Sequence, residues 1–210
     1  MPKDKTATHI KLTECMRKEF FEKGYEKASL NHIARMAGIT PAGVYRHFES
    51  KGEMFISIVQ PAADALENCC REFVSGMTDE LDSKHRFEKY RPYDMGWFKA
   101  IIDIIYDYYD EFILLISGSV GTVYENFADS LVKMEENSTN SMLAHLDESG
   151  IEHTEVTQEQ VHIISSAYIK AIFQIICRKL PREEAVDQFA FIYRFFGEAW
   201  KAYINIGSLF

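Results

Sequence analysis

Residues 39–55 read "ITPAGVYRHFESKGEMF", a poor helix by composition, with one proline and two glycines among its apolar residues. The same stretch gathers Tyr45, Arg46, His47 and Lys51 behind a Thr-Pro pair. Thr40 can cap free backbone N–H groups, and Pro41 suits the first helical position because the N–H that it lacks has no partner there. Gly43 costs up to about 1 kcal/mol of helix propensity relative to alanine, so the fold or the function must have a use for it. Val44 and Phe48, four residues apart, supply a buried stripe, and Ser50-x-x-Glu53 is a capping box that opens the next helix.

Upstream of this stretch, Ile10, Met16, Phe20 and Phe21 fall along one side of a first helix that Gly24 ends. Ser29 stands as the N-cap of "LNHIARMA", whose Leu30, Ile33, Ala34 and Ala37 keep helical spacing up to the stop signal at Gly38. Downstream, the spacing predicts a helix from about Lys51 to Val74, with Phe55, Ile58, Val59, Ala62, Leu66 and Phe73 on its apolar side and Pro61 bending it. "SGMTDELDSKHRFEKYRP" reads as a connector with at most one short helix. "YDMGWFKAIIDIIYDYYDEFILLIS" is one long helix or two broken ones, and "GSVG" is a breaker. "YENFADSLVKMEENSTNSMLAHLDESG" is a helix ended by Gly150; Thr157-x-x-Gln160 caps another reaching Arg178, and Pro181 starts the last, which extends to about Asn205. No alternating strand pair with a hairpin signal is present, so the expected fold is all-α.

The totals agree with two helical bodies in one chain. Its 210 residues are 47% hydrophobic, ample for a core, and its net charge is -9. That charge is unevenly divided: residues 1–55 hold ten Lys/Arg against seven Asp/Glu, leaving the other 155 residues at -12. Such asymmetry points the N-terminal end toward a polyanion or a membrane surface. Cys15, Cys69, Cys70 and Cys177 have neither zinc-ligand spacing nor a disulfide pattern, which suits a reducing cytoplasm. The polar N-terminus lacks the apolar run of a signal peptide, and the run near "FILLISGSVGTV" is shorter than the roughly 20 residues of a membrane-spanning helix. A cytoplasmic protein with no membrane partner is expected.

Two short helices joined at "MAGIT", the second exposing polar and aromatic side chains, fit a helix-turn-helix, whose second helix enters the DNA major groove while its neighbours hold phosphates. Small Ala42 and Gly43 would let the backbone approach the bases, Thr40 would bond a base edge or phosphate, and Tyr45, His47 and Lys51 would hold the backbone. Lys51 also sits beside a helix N-terminus, which favours an anion. An ordinary amphipathic hairpin would use Val44, Phe48 and Tyr45 for packing alone. "SLNHIARMAGITPAGVYRHFESKGEMF" is similar to the DNA-binding region of TetR-like transcriptional regulators, through Ile33-Ala34, Ala37-Gly38-Ile39, Ala42-Gly43, Tyr45, Phe48 and Lys51. The resemblance covers about residues 6–60 and is only architectural beyond. It implies that Thr40, Pro41, Ala42 and Gly43 meet bases and that Tyr45, His47 and Lys51 anchor phosphates. Arg46, at a variable position of the family, and Ser29 complete the DNA-binding set.

The resemblance also implies an N-terminal DNA-binding domain, residues 1–52, followed by a ligand-binding and dimerisation domain, residues 53–210. The last two segments carry more apolar surface than one helix pair needs: Ile164, Tyr168, Ile172 and Ile175, then Val186, Phe189, Tyr193, Phe196, Trp200 and Tyr203. Paired with a twin chain they would form a four-helix interface, although an intramolecular core must also use some of them. For a small-molecule effector the expected lining is Trp97, Phe98, Tyr106, Tyr109, Phe112, Tyr124, Phe127, Met134 and Tyr168, with Asp103 or Asp107 facing a cation. A plain helical core would use the same aromatics. The expected function is a homodimeric repressor of a palindromic operator, released by its effector; the alternatives are an activator without a small ligand and a helical protein-interaction module. No phosphate loop, nucleophile elbow or catalytic cluster is recognisable, so no catalytic residues and no cofactor are expected. His145, His153 and His162 lack metal spacing, so no metal is expected either.

Overall fold

The computed structural model describes residues 5–81 and 95–206, with side chains described over 6–72 and 99–206. Among these residues the secondary structure is helical throughout, in the order α1 (Lys5–Lys27), α2 (Leu30–Ala37), α3 (Pro41–Val44), α4 (Lys51–Leu81), α5 (Met95–Asp107), α6 (Tyr109–Ser117), α7 (Phe127–Glu148), α8 (Gln158–Cys177) and α9 (Arg182–Ile204). The chain divides into two compact units, residues 1–65 with 107–127, and residues 66–106 with 128–210.

In the first unit, α1 packs on α2 and α6, and α2 packs on α3. The buried face of α1 is Leu12, Met16, Glu19 and Phe20, spaced by four and three residues. Ile10 and Phe21, expected on this face, lie off that stripe and are 56% and 37% exposed. Phe20 meets Phe55 of α4 edge-to-face at 5.4 Å between ring centroids, and Tyr25 meets the same ring at 5.4 Å. Gly24 interrupts α1 at φ 69°, a left-handed value that glycine adopts without steric cost. The break lets the Tyr25 N–H reach the carbonyl of Gly118 at 2.8 Å. The backbones are in contact here, since a Cβ on Gly24 would stand 3.5 Å from Gly118 Cα and O, while Gly118 itself lies close against Leu114 of α6. Arg17 of α1 is ion-paired with the buried Glu111 of α6.

Glu19 fixes α2. Its side chain is fully buried and accepts from Lys23 Nζ at 2.7 Å and from the Ser29 N–H at 2.9 Å, with His32 Nδ1 on the second oxygen. Burial alone would raise the carboxyl's pKa, but the hydrogen bonds from Lys23, Ser29 and His32 prevail and hold it down at about 2. Ser29 caps α2 as expected, its Oγ accepting from His32 N at 3.3 Å, and Gly38 ends α2 in the left-handed conformation.

Several boundaries differ from the sequence reading. The fourth helix continues beyond Val74 to Leu81, past Pro61, so the start of the expected connector is helical; the rest of the connector lies outside the described residues, as does the Phe73 side chain. The long aromatic segment is two helices, broken at Tyr108 (φ -117°, ψ 37°). In the second unit α8 packs along α9, and Thr157 and Gln160 form the complete capping box of α8. α9 ends at Asn205, which is left-handed. Leu146 of α7, Ile204 and Ile206 make a buried cluster against Met142, Leu143, Ile151, Val156 and Trp200. α8 has the length and apolar composition of a membrane span, which the sequence reading did not single out.

Replacing Glu19 by Gln should lower stability by about 1–3 kcal/mol, because a neutral amide cannot serve three donors as a carboxylate does. With a folded pKa near 2 against an ordinary 4.5, the carboxylate's contribution is complete above about pH 4.5 and is lost as pH falls toward 2. Urea melts across pH 2–7 should therefore show the gap between wild type and Glu19→Gln closing at the acid end.

Candidate nucleic-acid interface

The segment after Gly38 is shorter in regular helix than its sequence suggests. Thr40 Oγ1 accepts from the Gly43 N–H at 3.1 Å and caps α3, and Pro41 occupies its first turn. Beyond Val44 the chain closes in tight turns. His47 N donates to Val44 O at 2.8 Å, Arg46 N to Gly43 O at 3.3 Å, and Phe48 N back to Val44 O at 3.2 Å. The second helix of the expected helix-turn-helix is thus one α-helical turn, Pro41–Val44, followed by a turn that mixes i→i+3 and i→i+4 bonds. Val44, 0% exposed, and Phe48, 7% exposed, anchor it to the core.

Anchoring through those two residues turns the others outward. Thr40, Pro41, Ala42, Tyr45 and Arg46 are exposed, Tyr45 at 55%, and His47 is half-buried. Gly43 differs: it is buried, and a Cβ on it would lie 3.4 Å from Thr40 Oγ1, 3.5 Å from Ile39 Cβ and 3.6 Å from an Arg46 guanidinium nitrogen. Its lack of a side chain therefore serves packing beneath Arg46. Ser29 is engaged as the α2 cap. Lys51 is half-buried, donates to Glu26 O at 3.1 Å and stands 4.7 Å over the Tyr25 ring. Burial lowers its ammonium pKa below the ordinary lysine value, against the opposing pull of Glu26 and Glu19. At the start of α4, Glu53 N donates to Ser50 Oγ at 3.1 Å, while the Glu53 carboxylate accepts from Glu49 N instead of closing the expected box on Ser50.

A cleft of about 680 Å³ opens beside α3, lined by Thr6, Thr8, His9 and Ile10 of α1 and by Ile39, Gly43, Arg46 and His47. Lys11 of α1 lies against the α2–α3 turn, its Nζ 3.9 Å from where a Cβ on Gly38 would stand. The sequence reading assigned no such role to α1. The polar and basic residues of "THIK" were the available signal, but nothing local indicates which helix face meets α3.

The aromatic residues expected to line an effector site fall in both units. Phe112 and Phe127 are buried in the first, their rings 6.4 Å apart, and Tyr109 and Tyr124 are half-buried in that unit. Tyr106, Met134 and Tyr168 belong to the second. Tyr106 donates its hydroxyl to Leu180 O at 2.8 Å, and Tyr168 packs on Phe196 at 5.4 Å. The side chains of Trp97 and Phe98 lie outside the described residues. Asp103 is paired with Arg182 at 2.9 Å, and Asp107 is exposed. His153 and His162 pair with Asp147 and Glu136 at 3.0 and 2.6 Å.

The sequence reading missed a polar group in the second unit, Glu135 of α7 with Tyr168 of α8, Tyr193 of α9 and Cys70 of α4. Burial pushes Glu135 up to about 7 and Cys70 up to about 12. Tyr168 is raised first by burial and then by Glu135, Tyr193 and Cys70. The Cys70 thiol is thus held protonated and unreactive. The four positions are far apart in sequence, and no local pattern joins them.

Residues 16–58 match the family described as bacterial regulatory proteins, tetR family. The chain is 33% identical over 60 residues to the HTH-type transcriptional activator FasR of Mycolicibacterium smegmatis, a match covering 29% of this chain and 27% of FasR. A probable HTH-type transcriptional regulator ArpR of Pseudomonas putida is 28% identical over 36% of this chain and 35% of its own. The chain thus spans only about a quarter to a third of these two relatives. The biofilm operon icaADBC negative regulator IcaR of Staphylococcus aureus is 25% identical over 73% of this chain and 78% of its own. The fold resembles that of PfmR from Thermus thermophilus, with TM-score 0.53 and 23% identity over 87% of this chain and 97% of that one. A TetR-like regulator from Rhodococcus sp. RHA1 gives TM-score 0.57 at 14% identity, over 95% and 97%.

Two substitutions check this geometry. Thr40→Val, which removes the α3 cap, should cost about 1 kcal/mol in denaturant unfolding. Glu135→Gln should raise stability by on the order of 1–3 kcal/mol at pH 8 and by little at pH 5. The sign follows from a folded pKa near 7 against an ordinary 4.5: the charged form is disfavoured in the fold, so stability is lost as pH rises above 4.5. Thermal melts at the two pH values measure the difference.

Proposed function

From the match of residues 16–58 to the tetR family, we propose that the chain is a TetR-like regulator that binds a palindromic double-stranded DNA operator as a homodimer and represses transcription until a small molecule releases it. The observation that carries this reading is the segment Thr40–Phe48: Val44 and Phe48 are sunk in the core, while Thr40, Pro41, Ala42, Tyr45 and Arg46 stand in solvent. A surface of this kind, basic and aromatic in an acidic chain, matches the electrostatic need of a phosphate backbone, with side chains left over for base edges. Tyr45 and Arg46 have the freest side chains for the purpose. Lys51 contributes more as a brace to the end of α1. The reading makes the protein a regulator and not an enzyme.

The dimer reading draws on α8 and α9. Ile163 and Ile164 of α8 and Phe191, Phe195 and Tyr203 of α9 are 40–60% exposed. Phe191 and Phe195 stack at 6.1 Å. Among the described residues this apolar face is left exposed, and two copies packed through it would bury the rings in a four-helix arrangement. Ile175 and Phe189, expected on that face, are buried in the chain's own core, and Trp200 packs in the Leu146 cluster. A two-fold pair would set its two α3 segments about 34–36 Å apart or at a multiple of that spacing. For release, the second unit offers the Glu135, Tyr168 and Tyr193 group as polar contacts for an effector. α4 contributes residues to both units and is the element through which this reading has an effector act on α3. Ligand and DNA must then weaken each other by the same factor.

Selection of duplexes from a random pool by the purified protein should yield an inverted repeat, and Tyr45→Ala with Arg46→Ala should lower affinity for it at least tenfold while leaving the melting temperature unchanged. Full affinity in that double variant would refute the DNA-binding surface. Phe191→Glu with Phe195→Glu should shift sedimentation from dimer to monomer; a wild type that sediments as a monomer at all concentrations would refute the dimer.

A further inference from the structure

We propose that His9 of α1 and His47 beyond α3 together grip one phosphate of the DNA backbone, so that binding a duplex takes up protons. This rests on the DNA-binding reading above and adds to it a contact from α1 and a dependence on pH. The two imidazole rings lie 5.5 Å apart at a tilt of 37°, and His9 stacks at 5.5 Å on Phe48, which fixes its place against the core. Both line the cleft between α1 and the α3 segment, with Arg46, Thr6 and Thr8.

What sets this pair apart is its partners. Among the described histidines, His32, His153 and His162 each face a carboxylate, Glu19, Asp147 and Glu136 respectively, and His145 faces the Ser149 hydroxyl. His9 and His47 face each other. The charged side chain that lines the cleft with them is basic, Arg46 on the segment of His47. Among the described residues no carboxylate lines the cleft; at the start of α4, the carboxylate of Glu53 is taken by the Glu49 N–H. An anion held against both rings favours their protonated form, in which each ring nitrogen is a donor. Histidine is the side chain whose charge changes between pH 5 and 8, so a phosphate supplied by DNA favours the protonated pair near neutrality. By linkage, affinity for DNA is then higher at low pH and declines as pH rises through the bound pair's titration.

The test measures affinity for the duplex selected above between pH 6 and 8 at constant ionic strength, in wild type, His9→Gln, His47→Gln and His9→Lys. Wild type should bind roughly 5- to 10-fold more tightly at pH 6 than at pH 8. Each Gln variant should lose most of this dependence, and His9→Lys, with a permanent charge, should bind at pH 8 with an affinity near that of wild type at pH 6. Wild-type pH dependence retained in both Gln variants overturns the proposal, as does failure of His9→Lys to restore affinity while its melting temperature matches wild type. Imidazole resonances followed by NMR separate the phosphate sources: they should shift on adding duplex, and an equal shift with inorganic phosphate at matched ionic strength would overturn the assignment to the DNA backbone. Wild type that binds no duplex at any pH refutes the DNA-binding reading itself, a result distinct from binding that is present but flat with pH.

Discussion

The buried carboxylate of Glu19 organises the N-terminal helices of this molecule. Glu19 is fully buried, so its charge depends on three donors: the ammonium of Lys23 on its own helix, the backbone N–H of Ser29 and the ring of His32. Two of those donors belong to the start of α2. The charge on α1 therefore fixes where α2 begins, and α2 is only eight residues long, so its far end is fixed as well. Gly38 then turns the chain into α3, and Val44 and Phe48 seat it. Every exposed side chain from Thr40 to Arg46 inherits its direction from that sequence of constraints.

A second set of contacts braces the same unit from behind. The left-handed break at Gly24 brings the Tyr25 N–H onto Gly118 O, and Arg17 pairs with Glu111. Lys51 ties the start of α4 to the carbonyl of Glu26 and the Tyr25 ring. Tyr25 is thereby bonded through its backbone, stacked through its ring and covered by a cation. These contacts show why a lysine in a basic motif can be structural: its ammonium has three donors, and at least one is committed to the fold.

The second unit follows a different economy of charge. Its acidic surface suits solubility, but Glu135 is drawn in among Tyr168, Tyr193 and Cys70, where burial favours its neutral form. Apolar side chains are distributed the opposite way, with Phe191 and Phe195 facing solvent while Phe189 fills the core. A half-buried carboxyl held toward its neutral form and aromatic rings outside are each unfavourable for an isolated chain. Such departures concentrate where a protein meets something else.

The sequence by itself determined the elements that depend on neighbouring residues. The Ser29, Thr40 and Thr157 caps, the stop at Gly38, the breaks near Gly118 and Gly150 and the all-helical fold are legible because a cap or a left-handed glycine acts over three or four residues. The buried pair Val44 and Phe48 was legible for the same reason, as one turn of helix separates them. Only the tertiary structure decided which faces those helices hide. It put Ile10 in solvent and Glu19 in the core, buried Gly43 beneath Arg46, brought His9 against His47 and Glu111 against Arg17, and left Phe191 and Phe195 uncovered. Those outcomes depend on packing between segments tens of residues apart, and a helix's periodicity states that it has an apolar side without stating what will lie against it.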